Sequence, residues 1–118
     1  MNMPADTYSA LAELKTSTAL TPRTMPPSFY KDESLFSVEM EELFIKGWVC
    51  LGRSDEIPEP GDYFTVDICN EPLIIVRNQS ADVSVLSNVC RHRGSQILTG
   101  RGNSKRFTCP YHLSLIHI

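Results

Sequence analysis

A chain of 118 residues has room for one domain at most. Apolar residues make up 42% of it, enough for a core, and a net charge of −3 with the signs mixed along the chain offers no basic face for a nucleic acid backbone. No apolar run reaches the length of a membrane span and residues 1–19 lack a signal-type apolar stretch, so the expected compartment is the cytoplasm, where four cysteines serve as metal ligands or core thiols and not as disulfides.

The first element expected is a short helix over Ala5–Leu14, with Asp6 as its N-cap. Thr16–Pro27 is rich in Thr, Ser and Pro and reads as an arm or linker. Asp32–Lys46 carries the clearest helical pattern: Phe36, Met40, Leu43 and Phe44 recur on one face, Asp32 stands at the start and Gly47 at the end. That Phe/Met stripe is read as core. Trp48–Gly52 reads as a short apolar strand, with Trp48 a core or interface aromatic and Cys50 a core thiol. Pro58, Pro60 and Gly61 mark Ile57–Asp62 as a loop. Strands follow over Tyr63–Ile68, Leu73–Arg77 and Val83–Val89, joined by turns at Cys69–Pro72 and Asn78–Asp82. The fold class is therefore mainly β, an antiparallel meander behind a short helical lead.

Four residues carry the chemistry. Cys90-Arg91-His92 and Cys109-Pro110-Tyr111-His112 are separated by 16 residues, and each group follows a strand-like stretch, so each is expected at a hairpin tip. Two thiolates on one iron and two imidazoles on another make an unsymmetrical [2Fe–2S] centre. Neutral imidazole donates less charge than thiolate, which raises the reduction potential from about −400 mV to roughly −150 to +300 mV. The reading from Cys90, His92, Cys109 and His112 as cluster ligands is thus a one-electron carrier. A structural zinc site is the alternative, since zinc also takes two cysteines and two histidines. Zinc fingers group the residue types as Cys, Cys, His, His, whereas here they alternate. Gly94 is expected to allow a tight turn and Pro110 to stiffen its loop. Arg91 and Arg93 are either solvated loop charges or an attraction for an acidic electron donor.

Cys90-Arg91-His92-Arg93-Gly94 and Cys109-Pro110-Tyr111-His112 resemble the Rieske boxes of ring-hydroxylating oxygenase alpha subunits. The lead-in is similar too: Glu42-Leu43-Phe44 before Trp48, then Gly61-Asp62-Tyr63-Phe64, Ile75-Val76-Arg77 and Asn88-Val89. The resemblance runs from about Tyr30 to His112 and implies a Rieske-type antiparallel β sandwich, here incomplete. Respiratory-chain relatives join their two loops by a disulfide, and the matching positions here, Ser95 and Tyr111, cannot form one. The long helical lead is also absent from small Rieske ferredoxins. The resemblance implies an organisation of 1–30 arm, 31–47 helix, 48–112 partial Rieske domain and 113–118 tail.

Behind His112 the family pattern continues with an aromatic-containing strand, whereas this chain reads Leu113-Ser114-Leu115-Ile116-His117-Ile118. That string matches the translation of a transposase mosaic-end adapter, so 113–118 is expected to be a non-native tail and His117 no ligand. By resemblance the intact protein is an oxygenase that hydroxylates or demethylates an organic substrate with O₂. Its mononuclear non-haem Fe(II), on two histidines and a carboxylate, belongs to a further domain. A reductase or ferredoxin supplies the electrons, and the intact subunit is expected to form a homotrimer. The 118 residues alone are not expected to turn over substrate. A stand-alone Rieske ferredoxin-type carrier and a zinc module are the alternatives.

Overall fold

In the computed structural model, which describes residues 5–16, 20, 22 and 24–116, the chain divides into two compact units, Met1–Val49 and Cys50–Ile118. In the first, helix α1 spans Ala5–Lys15. It starts one residue before Asp6, which therefore lies in the first turn and not at the N-cap. Residues 17–19, 21 and 23 of the expected arm lie outside the described residues, and Pro27–Tyr30 form a 3₁₀ turn.

Asp32 does cap the second helix, α2, Glu33–Glu39. Its carboxylate accepts from the Ser34 hydroxyl and from the backbone N–H groups of Leu35 (3.2 Å) and Ser34 (2.8 Å), and these bonds, the hydroxyl first, hold it below the ordinary carboxylate range. The helix does not run on as α to Lys46. It passes into a π-helical segment, Met40–Ile45, and Lys46 N–H bonds back to the Glu41 carbonyl at 3.3 Å. The wider turn swings later side chains off the 3.6-residue line. Phe36, Leu43 and Phe44, read as core, are exposed, and Leu35 is the buried residue of α2. Trp48 is likewise no core residue: its relative exposure is 105%.

The second unit holds the site. The segment 50–53 joins no strand ladder, so nothing turns its side chains inward in alternation, and Cys50, expected in the core, is exposed with its thiol 3.7 Å from the Gly52 carbonyl. Strands β1 (Asp62–Ile68), β2 (Glu71–Arg77), β3 (Val83–Ser87) and β4 (Arg101–Asn103) form an antiparallel sheet in the order β3-β2-β1-β4. Strands β5 (Phe107–Thr108) and β6 (Leu115–Ile116) make a second, two-stranded sheet. The mainly β, antiparallel class expected from the sequence is what forms.

The β1–β2 turn falls on Cys69 and Asn70, with φ of 54° and 65°, which is a two-residue hairpin of the type whose twist suits the strands. It lies one position earlier than expected, and Pro72 sits inside β2 opposite Asp67. The β2–β3 turn is shaped by Asn78, whose side-chain oxygen accepts from Ser80 N–H and Asp82 N–H, both at 2.9 Å.

Strand β2 buries three consecutive residues, Ile74, Ile75 and Val76, because the sheet is covered on both faces. Ile75 packs with Phe64 and Ile57 on one face. Ile74 and Val76 point to the other, where Ile97, Phe107, Cys90 and Cys109 complete the larger core cluster. The second sheet contributes to that cluster through Phe107, so Cys90 and Cys109 are both packed into the core of the fold. Arg77 secures the opposite end. Its guanidinium donates to the carbonyls of Ile57, Ala81 and Ser54 at 2.7–2.9 Å and ties the loop before β1 to the β2–β3 turn.

Candidate metal centre

Each of the two sequence boxes folds into the same loop. In the first, Cys90 N–H donates to the Ser95 carbonyl (2.8 Å) and Gly94 N–H to the Cys90 carbonyl (2.9 Å). In the second, Cys109 N–H donates to the Ser114 carbonyl (2.8 Å) and Leu113 N–H to the Cys109 carbonyl (3.0 Å). The donor four places after the cysteine has positive φ in both loops, 69° at Gly94 and 58° at Leu113. The first loop follows β3 and is closed by a bridge between Val89 and Gln96; the second is the tip of the β5–β6 hairpin, closed by Phe107↔Ile116 and Thr108↔Leu115.

The repeat puts like residues together. Cys90 and Cys109 are buried, Cys109 at 1% exposure, and neither forms a disulfide. His92 and His112 lie at the surface with ring centroids 4.6 Å apart and planes at 61°. The Tyr111 ring packs on His112 at 3.9 Å and is 60% exposed. The Cys109 thiol is held below its ordinary range chiefly by the backbone N–H of Tyr111, then by that of His112 and by the side chains of Cys90 and Ser95, against burial, which raises it. A sulfur already ringed by donors is prepared to carry negative charge, as a metal thiolate must.

Among the described residues, no three Cys, His, Asp or Glu side chains converge on the position of a single metal ion. Here sulfur neighbours sulfur inside and imidazole neighbours imidazole outside, a split that suits a core of two metal atoms with unlike ligand pairs. The donor chemistry thus fits a [2Fe–2S] group. His117 lies outside the described residues. Arg91 and Arg93 are exposed on the first loop.

Sequence reasoning named two residues of this site without giving either a role in its loop. Asn88 and Leu113 shape the loops without offering a ligand atom. The signal for Asn88 was an amide directly before a ligand box; for Leu113 it was the match in loop position to Gly94. A leucine in the left-handed region costs about 1–2 kcal/mol, since its Cβ crowds the following carbonyl. Leu113 is 74% exposed and recovers little of that by packing. Leu113→Gly is therefore expected to stabilise the chain by roughly 0.5–1 kcal/mol in urea unfolding, the strain relieved less the added freedom of the unfolded chain. Gly94→Ala should move stability the other way; an unchanged midpoint in both variants would contradict the strain.

A β domain with two equivalent loops, each pairing an inward cysteine with an outward histidine, defines an iron–sulfur cluster fold of the electron-transfer class. The family model of the Rieske [2Fe-2S] domain matches residues 47–116, and the chain belongs to that family. It is 44% identical over 87 residues to the benzene 1,2-dioxygenase subunit alpha of Pseudomonas putida, covering 73% of this chain and 19% of that protein. It is 41% identical over 90 residues to the carnitine monooxygenase oxygenase subunit of Escherichia coli, covering 75% of this chain and 24% of the relative. Among solved structures it is similar to the naphthalene 1,2-dioxygenase of a Rhodococcus species, with a TM-score of 0.81 and 32% identity over 93% of this chain and 24% of that one. The apo form of a quaternary ammonium Rieske monooxygenase gives a TM-score of 0.76 and 34% identity over 82% of this chain and 29% of that one. The chain thus spans about a fifth to a quarter of the length of the curated relatives it matches.

Proposed function

We propose that Cys90 and Cys109 hold one iron and His92 and His112 the other iron of a Rieske [2Fe–2S] cluster, and that the chain is the electron-transfer portion of an oxygenase alpha subunit. The observation that carries this reading is the repeat of one loop geometry around two buried thiols and two exposed, neighbouring imidazoles. When bound, the cluster supplies reversible one-electron transfer at moderate potential. The protein's part is to keep its sulfur-bound side in the core, away from water, and to present the imidazole edges where redox partners meet them. Backbone N–H groups of Tyr111 and His112 stabilise charge on the Cys109 sulfur, and Tyr111 limits the orientations open to His112.

In the intact protein, electrons would arrive from a reductase or ferredoxin and leave through a histidine edge toward a mononuclear iron in a further domain, where O₂ and an organic substrate react. Inter-subunit electron transfer is described for a quaternary ammonium Rieske monooxygenase to which this chain is similar, which supports a homo-oligomer, a trimer in our reading. Matches to both a benzene dioxygenase and a carnitine monooxygenase support oxidation of an organic substrate with O₂, which we read as hydroxylation or demethylation. The free state of Cys50, Cys69, Cys90 and Cys109 fits the cytoplasm, and no helix among the described residues is long and apolar enough to cross a membrane.

Anaerobic reconstitution tests the ligand assignment. Two irons and two acid-labile sulfides per chain, with a rhombic EPR signal on reduction, are expected. A colourless protein that binds one zinc under the same conditions would sink the reading.

A further inference from the structure

We infer that Asn88 is the positioning residue of the Cys90–His92 loop, its side-chain amide standing in for the strand ladder that closes the other loop. The inference rests on the cluster reading for its purpose and on loop geometry for its evidence. The second loop is closed by two consecutive strand pairs, Phe107↔Ile116 and Thr108↔Leu115. The first has one isolated bridge, Val89↔Gln96, after which the returning chain enters no strand until β4 at Arg101. The backbone groups of Ile97 and Leu98 would be left without ladder partners, although Ile97 is buried.

Asn88 takes them up. Its side-chain oxygen accepts from Ile97 N–H (3.2 Å) and Leu98 N–H (2.9 Å), and its Nδ2 donates to the Leu98 carbonyl (2.8 Å). Its own backbone N–H donates to the Pro72 carbonyl of β2 (2.8 Å), and its carbonyl accepts a further, longer bond from Ile97 N–H. One residue thus fastens the outgoing end of the loop to the main sheet and the returning end to itself. Cys90 follows two residues later and His92 four. Asn88 is 1% exposed, and no buried side-chain polar atom among the described residues lacks a partner. A side chain with both an acceptor and a donor at this reach is needed. Alanine supplies neither, and aspartate keeps the acceptors while setting an oxygen against the Leu98 carbonyl.

The test uses the full chain and compares Asn88→Ala and Asn88→Asp with Ile75→Ala. Ile75 packs on the sheet face away from the ligand loops and serves as a control for general destabilisation. Two quantities are read: the half-life of the reconstituted cluster against an iron chelator, and hydrogen exchange of the Ile97 and Leu98 amides in the cluster-free chain. For Asn88→Ala we expect at least a tenfold shorter cluster half-life and at least tenfold faster exchange at those two amides than for Ile75→Ala, after correction for global stability. Asn88→Asp, which retains the two acceptor contacts, should fall between Asn88→Ala and the parent. Cluster half-lives and exchange rates in Asn88→Ala that merely track Ile75→Ala would overturn the positioning role. A parent chain that takes up no cluster would instead overturn the ligand assignment, and the exchange rates alone would then decide the role of Asn88 in the loop.

Discussion

Replacing His112 by cysteine is expected to lower the reduction potential of the reconstituted cluster by on the order of 200 mV. The substitution exchanges a neutral donor for a charged one on the iron assigned to the histidines, so the reduced cluster carries an extra negative charge. For a one-electron couple each 59 mV is a factor of ten, so the shift is more than three powers of ten in the reduction equilibrium. The site favours a large response. His112 is exposed beside His92, while both native thiols lie in the core, so the new thiolate would stand at the surface without the buried donors that surround Cys109. His92→Cys should act in the same direction, because both imidazoles are assigned to the same iron. Spectroelectrochemical titration measures the effect. A potential within 30 mV of the parent, with the cluster present, would rule out His112 as a ligand.

Phe107→Ala is expected to cost about 3–5 kcal/mol of folding stability, the usual range for removing a buried aromatic and leaving a cavity. Phe107 is 1% exposed and meets Tyr63 edge-to-face at 5.3 Å. It belongs to the core cluster that contains Ile74, Val76, Ile97, Cys90 and Cys109. The unit from Cys50 onward is small, and a single core of that size supplies only about 3–5 kcal/mol in total. The variant should therefore be largely unfolded without a cluster. One residue separates Phe107 from Cys109, so the cavity also opens beside the second loop, and cluster binding should refold the variant only in part. Circular dichroism against urea, with and without reconstitution, reads both effects. Phe107→Leu, which keeps most of the volume, should lose less than half as much. An alanine variant that melts with the parent would show that the two sheets do not depend on this contact.

Much of this was visible in residue types and short spacings. The proposed ligand set of Cys90, His92, Cys109 and His112 needed only two boxes and the knowledge that thiolate and imidazole bind iron differently. Asp32 as a helix cap and the Asn78 turn were equally local, because a short polar side chain bonds to backbone a few residues away whatever surrounds it. The helical stripe misled because periodicity reports which residues share a face and not whether that face is covered: Phe36 is exposed within the regular helix, and the π turn then shifts Leu43 and Phe44. Trp48 and Cys50 misled because hydrophobic type was taken for burial, which requires a partner surface that residue type does not specify.

By itself the sequence determined the two Cys/His boxes that carry the proposed donors and the antiparallel character of the chain around them, since each follows from chemistry within a few residues. Only the tertiary structure decided that the thiols face the core while the imidazoles face outward, that an amide at Asn88 closes one loop where strands close the other, and that Leu113 occupies a position shaped for glycine. These depend on register between strands distant in sequence, where one residue of slip turns every side chain to the opposite face.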